Sequence, residues 1–436
     1  MLIQDLAYVN SRFSIIYPKD KVMYIQRSIT QTVYNLLKDF KIVSINGPRQ
    51  SGKTTLAKEI AKNLKMKYFT FDDEPTKLSA MQDPINFVKL LSNTPCVIDE
   101  VQMVPKIVSA LKIAVDNENK NGMFLLTGSA DLFKISTIKE SLAGRMVSIS
   151  LYPFSQFEIN GKKDNLIDIL FEDRLKEYEF EAIEFKKIVN SIVNGGYPAV
   201  LGKSQKAKEL WFDSYIEARI EKDLSLIKRV SFENRSEINK LLRILAYNTS
   251  NLLKYSALAK HLSIKDVTVK SDIEILEALF LLNRINPYFT NRGKREVKAP
   301  KVAFIDTGLA SHLIDADVDL LILKQREILG NLVENFVYSE LLKHSTYAKK
   351  TTKIYHYRDE NYEVDLVLEQ KNGTIVAIEV KSGTNIKQEH LKGLVRLAKN
   401  AKDSFLGGYI FYSGDKLLPI SKDGYAFWLV PLSVLF

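Results

Sequence analysis

Up to residue 151, apolar positions follow two alternating rhythms. Short apolar runs at Ile42–Ile45, Lys67–Phe71, Cys96–Ile98, Met123–Thr127 and Met146–Leu151 read as buried strands. Between them, apolar residues recur at helical spacing over Ile29–Phe40, Leu56–Leu64, 83–91 and Val104–Val115. Strands alternating with helices predict a parallel, doubly wound sheet with its ligand site at the carboxyl ends of the strands. Residues 161 to about 230 are charged and helical in pattern, broken at Gly195-Gly196, and predict a helical lid. Within it Trp211 and Tyr215 stand four apart and are assigned to the core. Residues 236–305 run as three helices (Ile238–Ala246, Tyr255–Leu262, Lys265–Leu279) and two β-like segments (Leu281–Tyr288, Lys301–Phe304), the order of a winged helix. Farther on, Glu363–Glu369 and 374–383 form a predicted hairpin about Lys371-Asn372-Gly373, and Gly330–Glu334 lies on a helix.

The first strand runs into Gly47-Pro48-Arg49-Gln50-Ser51-Gly52-Lys53-Thr54-Thr55 and then into a helix, which is the context of a phosphate-binding loop. Gly47 and Gly52 let the backbone wrap closely around phosphate oxygens, toward which loop amides and the positive helix end point. Lys53 supplies a positive charge to the outer phosphates of ATP, and Thr54 offers a hydroxyl to Mg2+. The strand Cys96–Ile98 ends in Asp99-Glu100, where Asp99 is placed to hold magnesium through water and Glu100 to polarise the attacking water. Thr127 and Ser129, at the tip of the strand 123–127, suit a sensor strand lying between the two motifs. Arg145, after Gly144, has two readings: a surface residue at a helix end, or a cation reaching a γ-phosphate in its own or a neighbouring subunit.

The stretches 47–55, Asp99–Gln102, Leu126–Ser129 and Ser141–Arg145 together resemble the AAA-plus-type ATPases of archaea and bacteria in which the ATPase is followed by a DUF4143 domain. Asn194–Pro198, Lys298–Lys301, Ile305–Gly308 and Tyr357–Asp359 extend the resemblance over nearly all the chain from about residue 24. The resemblance implies an ATPase module, a DNA-binding winged-helix-like region and a nuclease-like C-terminal region. Expected divisions are 1–24 (extension), 25–160 (P-loop core), 161–230 (helical lid), 231–315 (winged-helix-like) and 316–436 (restriction-endonuclease-like α/β).

Composition adds partners. With 46% hydrophobic and 26% charged residues, the 436-residue chain has the make-up of an ordinary globular protein. A net charge of +10 and a pI near 9.2 favour a polyanion such as DNA. Arg292, Lys294, Arg295 and Lys298, between the two β-like segments, form a basic wing suited to DNA phosphates, although winged helices also bind proteins. A single cysteine, no membrane-length apolar run and no signal pattern point to the cytoplasm.

The last third carries a second constellation. In a strand, Glu379 and Lys381 project from one face while Ile378 and Val380 enter the core. With Asp365 and Glu334 they resemble the PD-(D/E)xK nuclease motif, in which Asp365, Glu379 and Glu334 hold magnesium and Lys381 orients water. Two functions follow: a DNA-processing ATPase with a nuclease site, or a nucleotide-gated switch whose C-terminal half binds a partner without cleaving.

Overall fold

The computed structural model describes residues 24–117, 120–129, 142, 144–220, 224, 232–289 and 299–436. Arg292, Lys294, Arg295 and Lys298 of the expected wing, and residues 1–23, lie outside them.

The predicted alternation is realised as helix α1 (Thr30–Asp39), β1 (Ile42–Asn46), α2 (Lys53–Leu64), β2 (Lys67–Thr70), α3 (Glu74–Gln82), α4 (Pro84–Leu91), β3 (Cys96–Asp99), α5 (Ile107–Asn117), β4 (Phe124–Gly128) and β5 (Met146–Ser150). Helix α3 has no counterpart in the sequence reading; Asp73 caps it by accepting from the Thr76 amide, with Pro75 in its first turn. The strands form a parallel sheet in the order β2-β3-β4-β1-β5. Both faces are covered, so the strands are apolar on both sides. Val43, Ile45, Val97 and Leu125 pack with α1 and α2, while Ile42, Ile98, Phe124 and Leu126 pack with α4 and α5. Order reverses around β1, which lies between β4 and β5, so the loop after β1 opens at a switch point of the sheet.

The middle of the chain holds the helices Phe185–Asn194, Gln205–Ala218, Phe232–Tyr247, Tyr255–Leu262 and Asp266–Ala278, then an antiparallel ribbon of β6 (Leu282–Ile285) and β7 (Lys301–Phe304). Two motifs that the sequence left without a role meet here. The Asp306 carboxylate accepts from the amides of Gly196 (2.7 Å) and Leu309 (3.2 Å). A Cβ on Gly308 would stand 2.5 Å from the carbonyl oxygen of Asn194, so 194–198 and 305–308 form a close backbone junction.

The helix Arg326–Ser345 leads to a mixed sheet ordered β12-β13-β11-β10-β9-β8, built from β8 (Thr352–Asp359), β9 (Tyr362–Gln370), β10 (Ile375–Lys381), β11 (Phe405–Tyr412), β12 (Leu418–Lys422) and β13 (Tyr425–Pro431). The expected hairpin is β9–β10, with Ile375 opposite Glu369. One contiguous core runs from Phe157 through the middle helices to Leu366, Leu368, Val376 and Ile378, so the middle region and one face of this sheet share their packing. The helix Lys392–Ala401 covers the other face.

Candidate nucleotide site and C-terminal acid cluster

The loop after β1 closes tightly because its glycines permit it. Gly47 and Gly52 have positive φ, and a Cβ on Gly47 would stand 2.2 Å from the Leu151 carbonyl oxygen. Lys53, buried at the first position of α2, donates to the carbonyls of Gly47 (3.0 Å) and Pro48 (2.7 Å). Burial holds its pKa down to about 8, against the raising charges of Glu100 and Asp99. A buried ammonium among uncharged carbonyls favours an incoming anion.

Asp99, at the end of β3, gathers three hydroxyls. Thr54 and Tyr68 donate to its Oδ2 at 2.8 and 2.5 Å, and Thr127 donates to Oδ1. Hard oxygen donors from the loop helix and from the strand end meet at one place, and this donor set fits magnesium. Glu100 sits in the left-handed region at φ 57°, strained for a glutamate, and its amide donates to Thr127 Oγ1 at 3.2 Å. The Gln102 amide group ties the Glu100 carboxylate to Ser129, whose Oγ is 2.9 Å away. Thr54, Asp99, Glu100, Thr127 and Ser129 are thus linked, directly or through Gln102, at the carboxyl edge of the sheet, and the charges of Glu100 and Asp99 act on Lys53.

Arg145 does not join them. It precedes Met146, which pairs with Ile42 at the opposite end of β1 from the loop, and its guanidinium pairs with Asp116 (3.0 Å to Oδ2). Within one chain the arginine and the loop occupy opposite edges of the sheet.

Arg27 and Trp211, the latter assigned to the core from the sequence, reach the loop, and Arg219 reaches the tip of the sensor strand. Arg27, buried, donates to the Ser51 carbonyl (2.8 Å), to the Tyr152 carbonyl (2.6 Å) and to Glu158 (2.9 Å). Trp211 donates from Nε1 to Gln50 Oε1 at 2.8 Å while stacking on the buried Tyr215. Arg219, buried, donates to the Leu279 carbonyl and lies 3.5 Å from the Ser129 carbonyl; its charge also lowers the Lys53 pKa. Trp211, Tyr215 and Arg219 recur every four residues, a spacing that marks one helix face. Arg27 carries no such signal.

In the C-terminal sheet, β9 and β10 bring Asp365 beside Glu379, and the helix Arg326–Ser345 adds Glu334. Asp365 Oδ2 accepts from the Val380 amide (2.8 Å), and Lys381 Nζ donates to Glu379 Oε1 (2.6 Å). The side chain of Lys381, the lysine of the motif, is 30% exposed. The lysine buried among the acids is Lys301 of β7. It is 3% exposed, with Nζ 2.9 Å from Glu334, 3.0 Å from Glu363 and 3.4 Å from Asp365. Burial opposes its charge, but the three carboxylates outweigh burial and raise its pKa. Burial first, then the Asp365 charge, pushes both Glu334 and Glu379 above the usual carboxylate range. Among the described residues no group of three or more acidic, histidine or cysteine side chains is arranged to hold a metal. Where the nuclease motif would hold magnesium, the buried ammonium of Lys301 stands against three carboxylates.

Among the described residues no helix is long and apolar enough to cross a membrane.

Three family models match successive parts of the chain. The model of an AAA domain matches residues 39–160, a domain of unknown function (DUF8612) matches 185–320, and another (DUF4143) matches 329–435. An uncharacterised protein of Mycobacterium bovis and another of Mycobacterium tuberculosis are each 28% identical over 388 residues, covering 87% of this chain and 78% of theirs. An uncharacterised protein of Methanocaldococcus jannaschii is 22% identical, covering 92% of this chain and 88% of its own. Among solved structures, AMPPCP-bound DnaA from Aquifex aeolicus is 13% identical with a TM-score of 0.26, covering 57% of this chain and 86% of DnaA. A signal-transduction ATPase with numerous domains from Pyrococcus horikoshii is 12% identical with a TM-score of 0.27, covering 73% of this chain and 48% of that one.

Proposed function

We propose, for a chain in which an AAA domain is followed by a DUF4143 domain, that ATP binding and hydrolysis with magnesium drive a switch whose C-terminal half engages DNA. The observation that carries this reading is the hydrogen bond of Thr54 to Asp99 at the carboxyl edge of a parallel sheet, with the buried Lys53 in the field of Asp99 and Glu100. When bound at Thr54 and Asp99, magnesium would neutralise phosphate charge. Lys53 binds the outer phosphates. Loop amides from Gly47 to Thr55, Pro48 excepted, line their oxygens, and Glu100 accepts a proton from the attacking water while Gln102, itself held by Ser129, keeps its carboxylate in place. Arg145, on the other edge of the sheet, serves a γ-phosphate only across a subunit boundary, which makes a homo-oligomer part of the proposal.

Coupling to the C-terminal half has a physical route. Arg27 joins the loop at Ser51 to Glu158. Two residues before Glu158, the Gln156 amide donates to Glu340 at 2.7 Å, on the helix that also carries Glu334. Excess positive charge and the basic segment 292–298 support DNA as the partner. Cutting is the first reading of Asp365, Glu379 and Lys381. The ammonium of Lys301 favours the second, in which the C-terminal half binds without cleaving.

The test is ATP turnover by the purified chain with and without DNA in magnesium. Turnover that DNA stimulates is expected. Turnover indifferent to every DNA form tried removes DNA from the proposal, and no turnover at all removes the ATPase.

A further inference from the structure

Lys301, the last residue of the motif Lys298–Lys301, has no part in the nucleotide site and holds the centre of the C-terminal acid cluster. Lys301 is locked there by its backbone. It pairs with Ile285 across the β6–β7 ribbon and bridges to Leu252, and the Leu253 amide donates to the Pro300 carbonyl at 2.8 Å. Its Nζ contacts carboxylates from the helix Arg326–Ser345 and from β9 within 3.4 Å. A lysine this buried is tolerated only among partners of opposite charge, and here it has three. A divalent ion needs several oxygens turned to a common point, at about 2.0–2.1 Å for magnesium. Lys301 stands at that common point: its Nζ faces Oε1 of Glu334, Oε1 of Glu363 and Oδ1 of Asp365, while Asp365 Oδ2 accepts from the Val380 amide. Glu379 Oε1 accepts from Lys381, and Glu379 Oε2 is buried without a hydrogen-bond partner.

We propose that Lys301 is the resident cation of this cluster. The chain supplies its own ammonium where a metal-dependent nuclease holds a divalent ion, so the C-terminal domain takes up no metal there and breaks no phosphodiester bond. The cluster instead fastens β7 of the middle region to the C-terminal sheet, adding a charged tie to the core they share. This goes beyond the ATPase reading and is tested apart from it, since no arm reads ATP turnover.

Mn2+ without nucleotide is the probe, followed by calorimetry and by thermal melts of the full chain. Wild type and Asp365→Asn should bind Mn2+ alike, because any metal bound without nucleotide lies elsewhere. Lys301→Met should melt lower than wild type, and Mn2+ should raise its melting temperature more than it raises that of wild type, by binding the freed carboxylates. Mn2+ binding in wild type that Asp365→Asn or Glu379→Gln abolishes overturns the proposal. So does a Lys301→Met protein that melts like wild type and ignores Mn2+. Should Lys301→Met fail to fold even with Mn2+, the comparison of wild type with Asp365→Asn decides by itself.

Discussion

At the scale of single residues, the nucleotide site rests on side chains held in costly states for a purpose. Lys53 is a buried cation, and Glu100 is a glutamate in the left-handed region. Replacing Lys53 with Ala should abolish binding of a fluorescent ATP analogue, because the outer phosphates lose their countercharge while the glycine loop remains. Glu100→Gln keeps shape and hydrogen bonding but cannot take a proton. It should bind ATP as wild type does and hydrolyse it about 10²–10⁴-fold more slowly. Wild-type turnover by Glu100→Gln would remove the glutamate from the role of base. Arg145→Ala separates the two readings of that arginine. Acting across subunits it should slow turnover about 10³-fold or more. As a surface partner of Asp116, an exposed pair, it should leave turnover intact.

At the scale of elements, the joints between segments are made by close approach and by buried polar groups. Gly308 lets the turn after β7 lie against Asn194 and Gly195, so Gly308→Ala should lower stability by about 1–3 kcal/mol, read from the denaturant midpoint. Gly383→Ala, where an added Cβ meets nothing within 4 Å, is the control and should be neutral. The helix Arg326–Ser345 buries His344 fully, with Nδ1 accepting from the Leu166 amide at 3.2 Å. Burial first, then Lys343, lowers its pKa to about 3 from 6.5. The folded pKa is depressed, so between those values the unfolded chain binds a proton that the fold refuses. The stability this histidine contributes is therefore complete above about pH 6.5. It is lost as pH falls toward 3, at roughly 1.4 kcal/mol per pH unit. Melting temperatures from pH 7 to pH 4 should fall less steeply for His344→Gln than for wild type. Equal slopes would mean that the imidazole accepts a proton inside the fold.

At the scale of the whole molecule, charge and shared core set the expectations. If DNA is the partner, log affinity should fall with log salt at a slope near −0.9 for each phosphate contacted. Replacing Arg292, Lys294 and Arg295 together should flatten that slope, whereas an unchanged slope places the DNA path on another surface. The sequence by itself determined what is local. Nine consecutive residues specify the phosphate loop, because its glycines, lysine and threonine act through their own backbone and the helix they begin. Alternating apolar runs likewise determined a parallel sheet, and a turn between alternating strands determined the β9–β10 hairpin. The order β2-β3-β4-β1-β5 and the partners of distant side chains were decided only in three dimensions. Arg27 reaches Ser51, and Glu158 far along the chain, through packing that no spacing encodes. Lys381 carries the motif spacing, yet Lys301 holds the buried position, 33 residues from Glu334 and 64 from Asp365. The physical reason is that a buried charge is chosen by whichever backbone the shared core brings within about 3 Å of the carboxylates, and sequence distance has no bearing on that.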